Sequence, residues 1–289
     1  LECHVRSDQT LTAGQTKNER ANMSGRDIPD KEIAQSGAAI ITREDGASIA
    51  YHALAGKAPT VVFLTGFKSD MMGEKALSLE SLCRRRGHGF LRFDYFGHGE
   101  SSGDFDNGTI GRWADDAIFA IDHLTEGPLV LVGSSMGGWL MLLTALKRPD
   151  RIAGLIGIAA APDFTEILIE NELTNEQKAD LKQNGVVEIP NCYDPDSPYR
   201  ISQAFIDEGR NNLLLRDTIA IDCPVRLIHG MKDEDVPIDT SLRLADKLRT
   251  SNVEVTLVKD GSHRLSEPHD IERLSHTTER LLLEIEVNM

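Results

Sequence analysis

Three groups of side chains in this chain are suited to covalent chemistry at a carbonyl. The first is Ser135, in Gly133-Ser134-Ser135-Met136-Gly137; glycine stands two residues before and two after it, and Ser134 has no such flanks. A serine hydroxyl is a poor nucleophile at neutral pH. It needs a base to take its proton and an acid to orient and stabilise that base. Four histidines lie downstream: His229, His263, His269 and His276. His229 ends an apolar strand and reads as structural. His269 and His276 fall in a terminal helical pattern and read as solvated. His263 sits in Asp260-Gly-Ser-His-Arg264, a loop directly after the last strand, where a base must be to reach the serine. The acid should follow the preceding strand, in His229-Gly-Met-Lys-Asp233-Glu-Asp235-Val-Pro237. Asp233, three residues after Gly230 and three before Val236, is the first choice and Asp235 the runner-up; Asp239 suits the cap of the next helix.

The acyl intermediate also needs donors aimed in advance at its oxyanion. One is the backbone N–H after the nucleophile, that of Met136. The other should come from Leu64-Thr65-Gly66-Phe67-Lys68, where Gly66 allows a tight turn that aims the Phe67 N–H. Losing one such donor typically costs ~3–4 kcal/mol in the barrier.

These residues need elements to hold them. An apolar run, Leu129 to Val132, reads as a buried strand; Trp139 to Lys147 reads as a buried helix; Ser135 is in the turn between. A strand, a tight turn and a helix form the nucleophile elbow, in which a sharp turn pushes Oγ above the sheet and only glycine lets strand and helix approach closely enough. Upstream, Ala38–Thr42 and Ser48–Ala53 flank Glu44-Asp45-Gly46 as a hairpin. From Thr60 strands alternate with helices: Val61–Leu64, a helix over about 74–86, Gly89–Phe93, a helix over about 110–125, the elbow, Ile152–Ile158, Val225–Ile228, a helix over about 239–249, Val253–Val258 and a helix over about 268–286. This predicts an α/β fold with eight strands, mostly parallel and covered on both faces by helices.

Residues 162–222 break the alternation between the sixth and seventh strands. They carry helical patterns at Phe164–Asn171, Asn175–Asn184 and Ser202–Arg210 and a Pro/Tyr-rich stretch from Ile189 to Tyr199. They are expected to form a cap over the C-terminal edge of the sheet, where open α/β sheets bind ligands. Phe164, Ile167, Leu168, Tyr193, Tyr199 and Phe205 would shape an acyl pocket there. The expected organisation is a polar tail over 1–36, a core over 37–161 and 223–289, and the cap.

Composition narrows the classes. The net charge is -15, from 46 acidic and 31 basic residues, which argues against a nucleic acid or an anionic membrane surface as partner. No apolar run approaches the ~20 residues of a membrane-spanning helix, and the N-terminus has no signal-peptide core. Cys3, Cys83, Cys192 and Cys223 are scattered, with no metal spacing, and are read as reduced thiols. Met23-Ser24-Gly25 reads as a natural start, and the residues before it do not resemble a mitochondrial presequence; a bacterial cytoplasmic protein is expected.

Gly-Ser-Ser-Met-Gly at 133–137, Asp-Tyr-Phe-Gly-His-Gly-Glu-Ser at 94–101, His-Gly-Met-Lys-Asp-Glu-Asp-Val-Pro at 229–237 and Ser262-His263 together resemble an α/β-hydrolase. Phe93-Asp-Tyr-Phe-Gly, Val132 to Met141 and Cys223 to Asp233 narrow the resemblance to the mitochondrial acyl-protein thioesterases that also cleave mycophenolate acyl-glucuronide, and their bacterial relatives; it covers about residues 60 to 285. The resemblance implies Ser135 as nucleophile, Asp233 as acid, His263 as base and Phe67 with Met136 as oxyanion donors. It also implies a small-molecule ester or thioester substrate, or an acylated protein, and no metal or organic cofactor. One departure is Thr65, where many hydrolases carry His and this subgroup often Pro. Asp94 and the loop glycines read as structural, and His98, ahead of the nucleophile, as without catalytic role. Peptidase or carbon–carbon hydrolase chemistry on the same triad, or a ligand-binding member without turnover, are the alternatives.

Overall fold

A computed structural model describes residues 37–168, 173–189 and 198–288. The chain opens with β1 (Ala39–Thr42) and β2 (Ser48–Leu54), paired antiparallel, and continues with β3 (Lys57–Leu64), α1 (Glu74–Arg86), β4 (His88–Phe93), α2 (Ile110–Leu124), β5 (Leu129–Ser134), α3 (Met136–Lys147) and β6 (Ile152–Ile158). After an intervening segment come β9 (Val225–Gly230), α7 (Ile238–Lys247), β10 (Val253–Val258) and α8 (Pro268–Asn288). The main sheet has eight strands in the order β1-β2-β4-β3-β5-β6-β9-β10. β2 meets β4 antiparallel, and from β4 onward every pairing is parallel.

The apolar runs are continuous because both faces of the sheet are covered. Alternate residues of β3 feed opposite cores. Val62 and Leu64 pack with Trp113 of α2 and Trp139 of α3, whereas Val61 and Phe63 pack with Leu79 of α1 and Leu281 of α8. β4, β5 and β9 are buried along almost their full length. β3 begins four residues before the apolar run that marks it, because Lys57 and Ala58 are exposed and leave no apolar trace.

Between β6 and β9 lie α4 (Phe164–Ile167), α5 (Asn175–Asn184), β7 (Val186–Ile189), β8 (Tyr199–Ser202) and α6 (Gln203–Gly209). The sequence marks α5 cleanly: Thr174 and Gln177 form a reciprocal capping box, and Gly185 closes the helix in the left-handed region. The β7–β8 hairpin was not anticipated. Each strand is four residues long and buries a single side chain, Val187 or Ile201, so there is no alternation long enough to read. The end of the Phe164–Asn171 pattern, Tyr193, Cys192, Cys3 and the N-terminal tail lie outside the described residues. Both ends of the segment are joined at Asp163, whose carboxylate accepts the N–H groups of Leu214 and Leu215 at 2.8 Å each. Among the described residues no helix is long and apolar enough to cross a membrane.

Candidate active site

Ser135 forms the turn between β5 and α3, with φ 54° and ψ -120°, a conformation L-residues rarely adopt. Neighbouring backbone holds it there: its N–H donates to the Ile158 carbonyl at 2.9 Å, and its own carbonyl accepts from Gly138 at 2.8 Å and Ala161 at 3.1 Å. The flanking glycines are steric requirements. A Cβ on Gly133 would stand 2.3 Å from the Gly137 oxygen, and one on Gly137 would stand 2.1 Å from the Leu64 oxygen. Strand and helix approach too closely for any side chain at either position.

The structure brings Ser135, His263 and Asp233 together. Nε2 of His263 is 3.0 Å from Ser135 Oγ, and its Nδ1 is 2.8 Å from Asp233 Oδ2. A carboxylate only accepts, so Nδ1 carries the proton and Nε2 presents its lone pair to the serine O–H. The loops carrying acid and base are tied together, the Lys232 N–H donating to the Gly261 carbonyl at 2.9 Å. Asp233, not the runner-up Asp235, meets the base. Asp235 lines the adjoining cavity and gives its N–H to Asp233 Oδ1 at 3.0 Å, and Val236 gives its own at 2.8 Å. Burial alone would raise the Asp233 carboxyl. Hydrogen bonds from His229 and His263, the His263 charge and the Val236 N–H outweigh it and hold the group well below the usual carboxylate range.

His229 belongs to this network more closely than its place at a strand end suggests. It is fully buried, with Nε2 3.0 Å from the Val236 carbonyl and 3.2 Å from Asp233 Oδ2, and Nδ1 2.7 Å from Ser241 Oγ. The Val236 carbonyl fixes the proton on Nε2, so His229 donates toward Asp233 and Nδ1 accepts from Ser241. The signal in the sequence is the four-residue offset from Asp233 across a tight Gly230 turn. His269 and His276 are exposed on α8, as read from their pattern.

Phe67 follows β3 in a turn closed by the Ser69 N–H donating to the Gly66 carbonyl at 3.2 Å, with Lys68 at φ 53°. A Cβ on Gly66 would lie 3.5 Å from Ser135 Cβ, which sets this turn beside the nucleophile. Met136 is the first residue of α3, where amides have no intrahelical acceptor and the helix dipole favours negative charge. Thr65 is 1% exposed and part of the wall beneath.

Asp94 bonds only to backbone in the described contacts: Oδ1 accepts from Met71 at 2.7 Å and Oδ2 from Glu100 at 2.9 Å. A Cβ on Gly99 would fall 2.0 Å from that carboxylate, so the motif at 94–101 is a folded loop around Asp94. His98 is 3% exposed, its Nδ1 3.2 Å from the Phe96 carbonyl, and burial pulls its imidazole down to about 4.

A cavity of about 710 Å³ opens over Ser135. Phe164, Ile167, Leu168, Ile189, Tyr199 and Ile201 are among its apolar lining residues. Lys68, Asp70, Glu74, Lys75, Arg264 and Ser266 are among its polar ones. Of the residues expected to shape a pocket, Phe205 lies behind its wall. Ile189 and Ile201 were missed with the hairpin that carries them. Lys75 reaches from α1 to the loop of the base, its Nζ donating to the Arg264 carbonyl and to Ser266 Oγ, the latter at 3.1 Å. Asp233, Asp235 and His263 offer ligand atoms within 4.8 Å of one another. A metal ion there would have to take the Nδ1–Oδ2 pair that orients the base, so the cluster fits a triad better than a metal centre.

A family model described as alpha/beta hydrolase fold matches residues 59–186. The chain belongs to the α/β-hydrolase family. Within it, the chain is 41% identical over 242 residues to the mitochondrial palmitoyl-protein thioesterase ABHD10 of Homo sapiens, covering 84% of this chain and 79% of that protein; the Mus musculus counterpart is also 41% identical, with 84% and 81% covered. The solved structure of alpha/beta hydrolase domain-containing protein 10 from mouse superimposes with a TM-score of 0.81 at 39% identity, covering 86% of this chain and all of that one. A structure from Agrobacterium vitis S4 gives 0.80 at 39%, covering 85% and 97%. The expectation of a bacterial cytoplasmic protein is overturned by the mitochondrial relatives. It rested on the composition of the residues before Met23, which has no physical bearing on the core that carries the likeness.

Proposed function

We propose that Ser135 attacks the acyl carbonyl of a carboxylic ester or thioester and carries the acyl group as a covalent intermediate. As an α/β-hydrolase with relatives named thioesterases, the chain is an enzyme that hydrolyses ester-type bonds. In this reading His263 Nε2 takes the Ser135 proton during attack and returns it to the leaving alcohol or thiol. Asp233 holds the imidazole in the tautomer that makes this possible and stabilises the imidazolium. The N–H groups of Phe67 and Met136 receive the oxyanion. Water then attacks the acyl-enzyme by the same route in reverse.

The observation that carries the reading is the unbroken relay, 3.0 Å from Ser135 to His263 and 2.8 Å from His263 to Asp233, opening into a cavity lined in part by apolar side chains. Residues 162–222 act as a cap: Phe164, Ile167, Leu168, Ile189, Tyr199 and Ile201 receive the acyl chain. The long-chain acyl protein named for the mammalian relatives is one substrate that such a wall accommodates.

The test is hydrolysis of p-nitrophenyl esters from acetate to palmitate, with a matching acyl thioester series, by wild type and Ser135→Ala, together with labelling by a fluorophosphonate. Wild type turns over and is labelled; Ser135→Ala does neither. Full activity in Ser135→Ala, or a wild type that neither turns over nor is labelled, overturns the assignment.

A further inference from the structure

The side chain of Phe67 is the hub of an aromatic cluster that spans the core and the segment between β6 and β9. Its ring centroid lies 4.8 Å from Phe105 and 6.0 Å from Trp113 on the core side. It lies 5.9 Å from Phe164, 5.6 Å from Tyr199 and 5.8 Å from Phe205 on the other. Four of these contacts, to Phe105, Trp113, Phe164 and Tyr199, are edge-on within the spacing at which aromatic pairs attract beyond simple burial, and the Phe205 ring is tilted at 48°. Among these rings, Phe67, Phe164 and Tyr199 line the cavity; among the described residues that line it, Phe205 is not one.

Phe205 is 4% exposed, wedged between Phe67, Trp113 at 5.7 Å and Phe164 at 6.0 Å. Its helix does not float. Ser202 Oγ caps it by accepting the Phe205 N–H at 3.0 Å. One turn on, Glu208 Oε2 accepts the Gly111 N–H at the start of α2 at 2.9 Å. Beyond the helix, the Asn212 carbonyl accepts the indole N–H of Trp139, from α3 itself, at 3.0 Å. Phe205 is therefore a fixed wall beside the Phe67 ring, in a segment tied to α2 and to α3, the helix of the elbow.

We propose that Phe205 is a positioning residue for the oxyanion hole: its ring fixes the Phe67 side chain, and through it the direction of the Phe67 N–H. The proposal rests on the reading of Phe67 as an oxyanion donor. The turn that carries this N–H is short, with one internal hydrogen bond and Lys68 in the left-handed region, so little within the turn resists a swing of Phe67. The ring contacts supply that resistance. The consequence separates Phe205 from an acyl-pocket residue. An acyl-pocket residue changes turnover of long chains and spares acetate. A residue that aims an oxyanion donor acts on every acyl group, acetate included, because each passes through the same tetrahedral intermediate.

The experiment uses the full chain with Phe205→Leu and Phe205→Tyr, assayed on p-nitrophenyl acetate at a temperature where both are folded by circular dichroism. Inhibition by a small trifluoromethyl ketone, which forms an oxyanion on the serine, is measured alongside. Phe205→Leu is expected to lower kcat for acetate about ten-fold with KM within two-fold, and to weaken the ketone by a similar factor; Phe205→Tyr, which keeps the ring, restores both to within about two-fold. An unchanged kcat for acetate, or a loss of kcat without weaker ketone binding, overturns the proposal. If Phe205→Leu does not fold, Phe205→Met is taken through the same pair of readouts. Failure of the underlying reading looks different: Ser135→Ala would keep its activity, or the ketone would not bind wild type.

Discussion

His229 stands 3.2 Å from Oδ2 of Asp233, the same oxygen that faces His263 at 2.8 Å. One carboxylate oxygen thus serves two imidazoles, one in the relay and one buried behind it. The buried ring cannot turn, since Val236 accepts from its Nε2 and Ser241 donates to its Nδ1.

Replacing His229 removes a donor from Asp233 Oδ2 and leaves that oxygen to His263. His229→Phe is expected to lower kcat/KM about ten-fold or more, since a hydrogen bond to a charged group is worth about 1.5–3 kcal/mol. It should also raise the pH of the acid limb, because a less compensated carboxylate stabilises the imidazolium. His229→Gln, whose amide can donate, recovers part of both. A pH profile of kcat/KM on a soluble ester decides: an acid limb that does not move while only thermal stability falls leaves His229 a packing residue.

The backbone of Ser135 stores strain for the sake of its hydroxyl. A non-glycine residue at φ 54° and ψ -120° costs on the order of 1–3 kcal/mol. Ser135→Gly relieves it, whereas Ser135→Ala keeps a Cβ in the same conformation. Both variants should be inactive, and the glycine variant should melt several degrees above the alanine variant, at roughly 2–4 °C per kcal/mol for a chain of this size. Differential scanning calorimetry of the pair settles it, and equal melting temperatures would remove strain from the account.

Much of this site was legible from residue types because its demands are local. Gly133 and Gly137 are forced by backbone contacts under 2.5 Å, so the elbow announces itself in five residues. His263 follows because a base must leave the C-terminal end of a strand, and β10 ends in an unmistakable loop. Asp233 over Asp235 was narrower. Both sit in one turn, and only the fold reveals which carboxylate accepts the Val236 N–H and points at the base. His229 was underread because an imidazole in an apolar strand looks like core, and its value lies in a contact across a turn. The β7–β8 hairpin left still less trace, since strands of four residues with one buried side chain each have no period. Phe205 was picked out as a pocket residue for being aromatic, but its contacts are to Phe67 and not to the cavity surface.

His98 should make the fold sensitive to mild acid. Burial pulls its imidazole from 6.5 to about 4. Between these values the unfolded chain binds a proton that the folded protein refuses, so the contribution is complete above pH 6.5 and is lost as the pH falls toward 4. At about 1.4 kcal/mol per unit the loss is about 3 kcal/mol. Asp94, Asp116 and Asp163, raised first by burial, act in the opposite sense, so the informative quantity is the difference between wild type and a variant. His98→Gln, which can still donate to the Phe96 carbonyl, should show a flatter fall in urea midpoint from pH 6.5 to 4. Parallel curves for the two proteins would mean that His98 is protonated in the fold.

Lys75 links α1 to the loop that carries the base. Its ammonium donates to the Arg264 carbonyl and to Ser266 Oγ, one and three residues beyond His263. Burial first, and then the Arg264 charge, pull it down to about 8, against the opposing pull of Glu74 and Asp270. Below that pH it donates as a cation; as the pH rises past 8 it becomes a weaker, neutral donor and the loop loosens. Wild type should therefore show a shallow decline in kcat above pH 8 that Lys75→Met lacks, its kcat being several-fold lower and flat across that range. KM for a short ester should stay within about two-fold, since the lysine acts on the base and not on the acyl group. A variant with wild-type kcat, or one that keeps the same alkaline decline, would show that the His263 loop holds its place without α1.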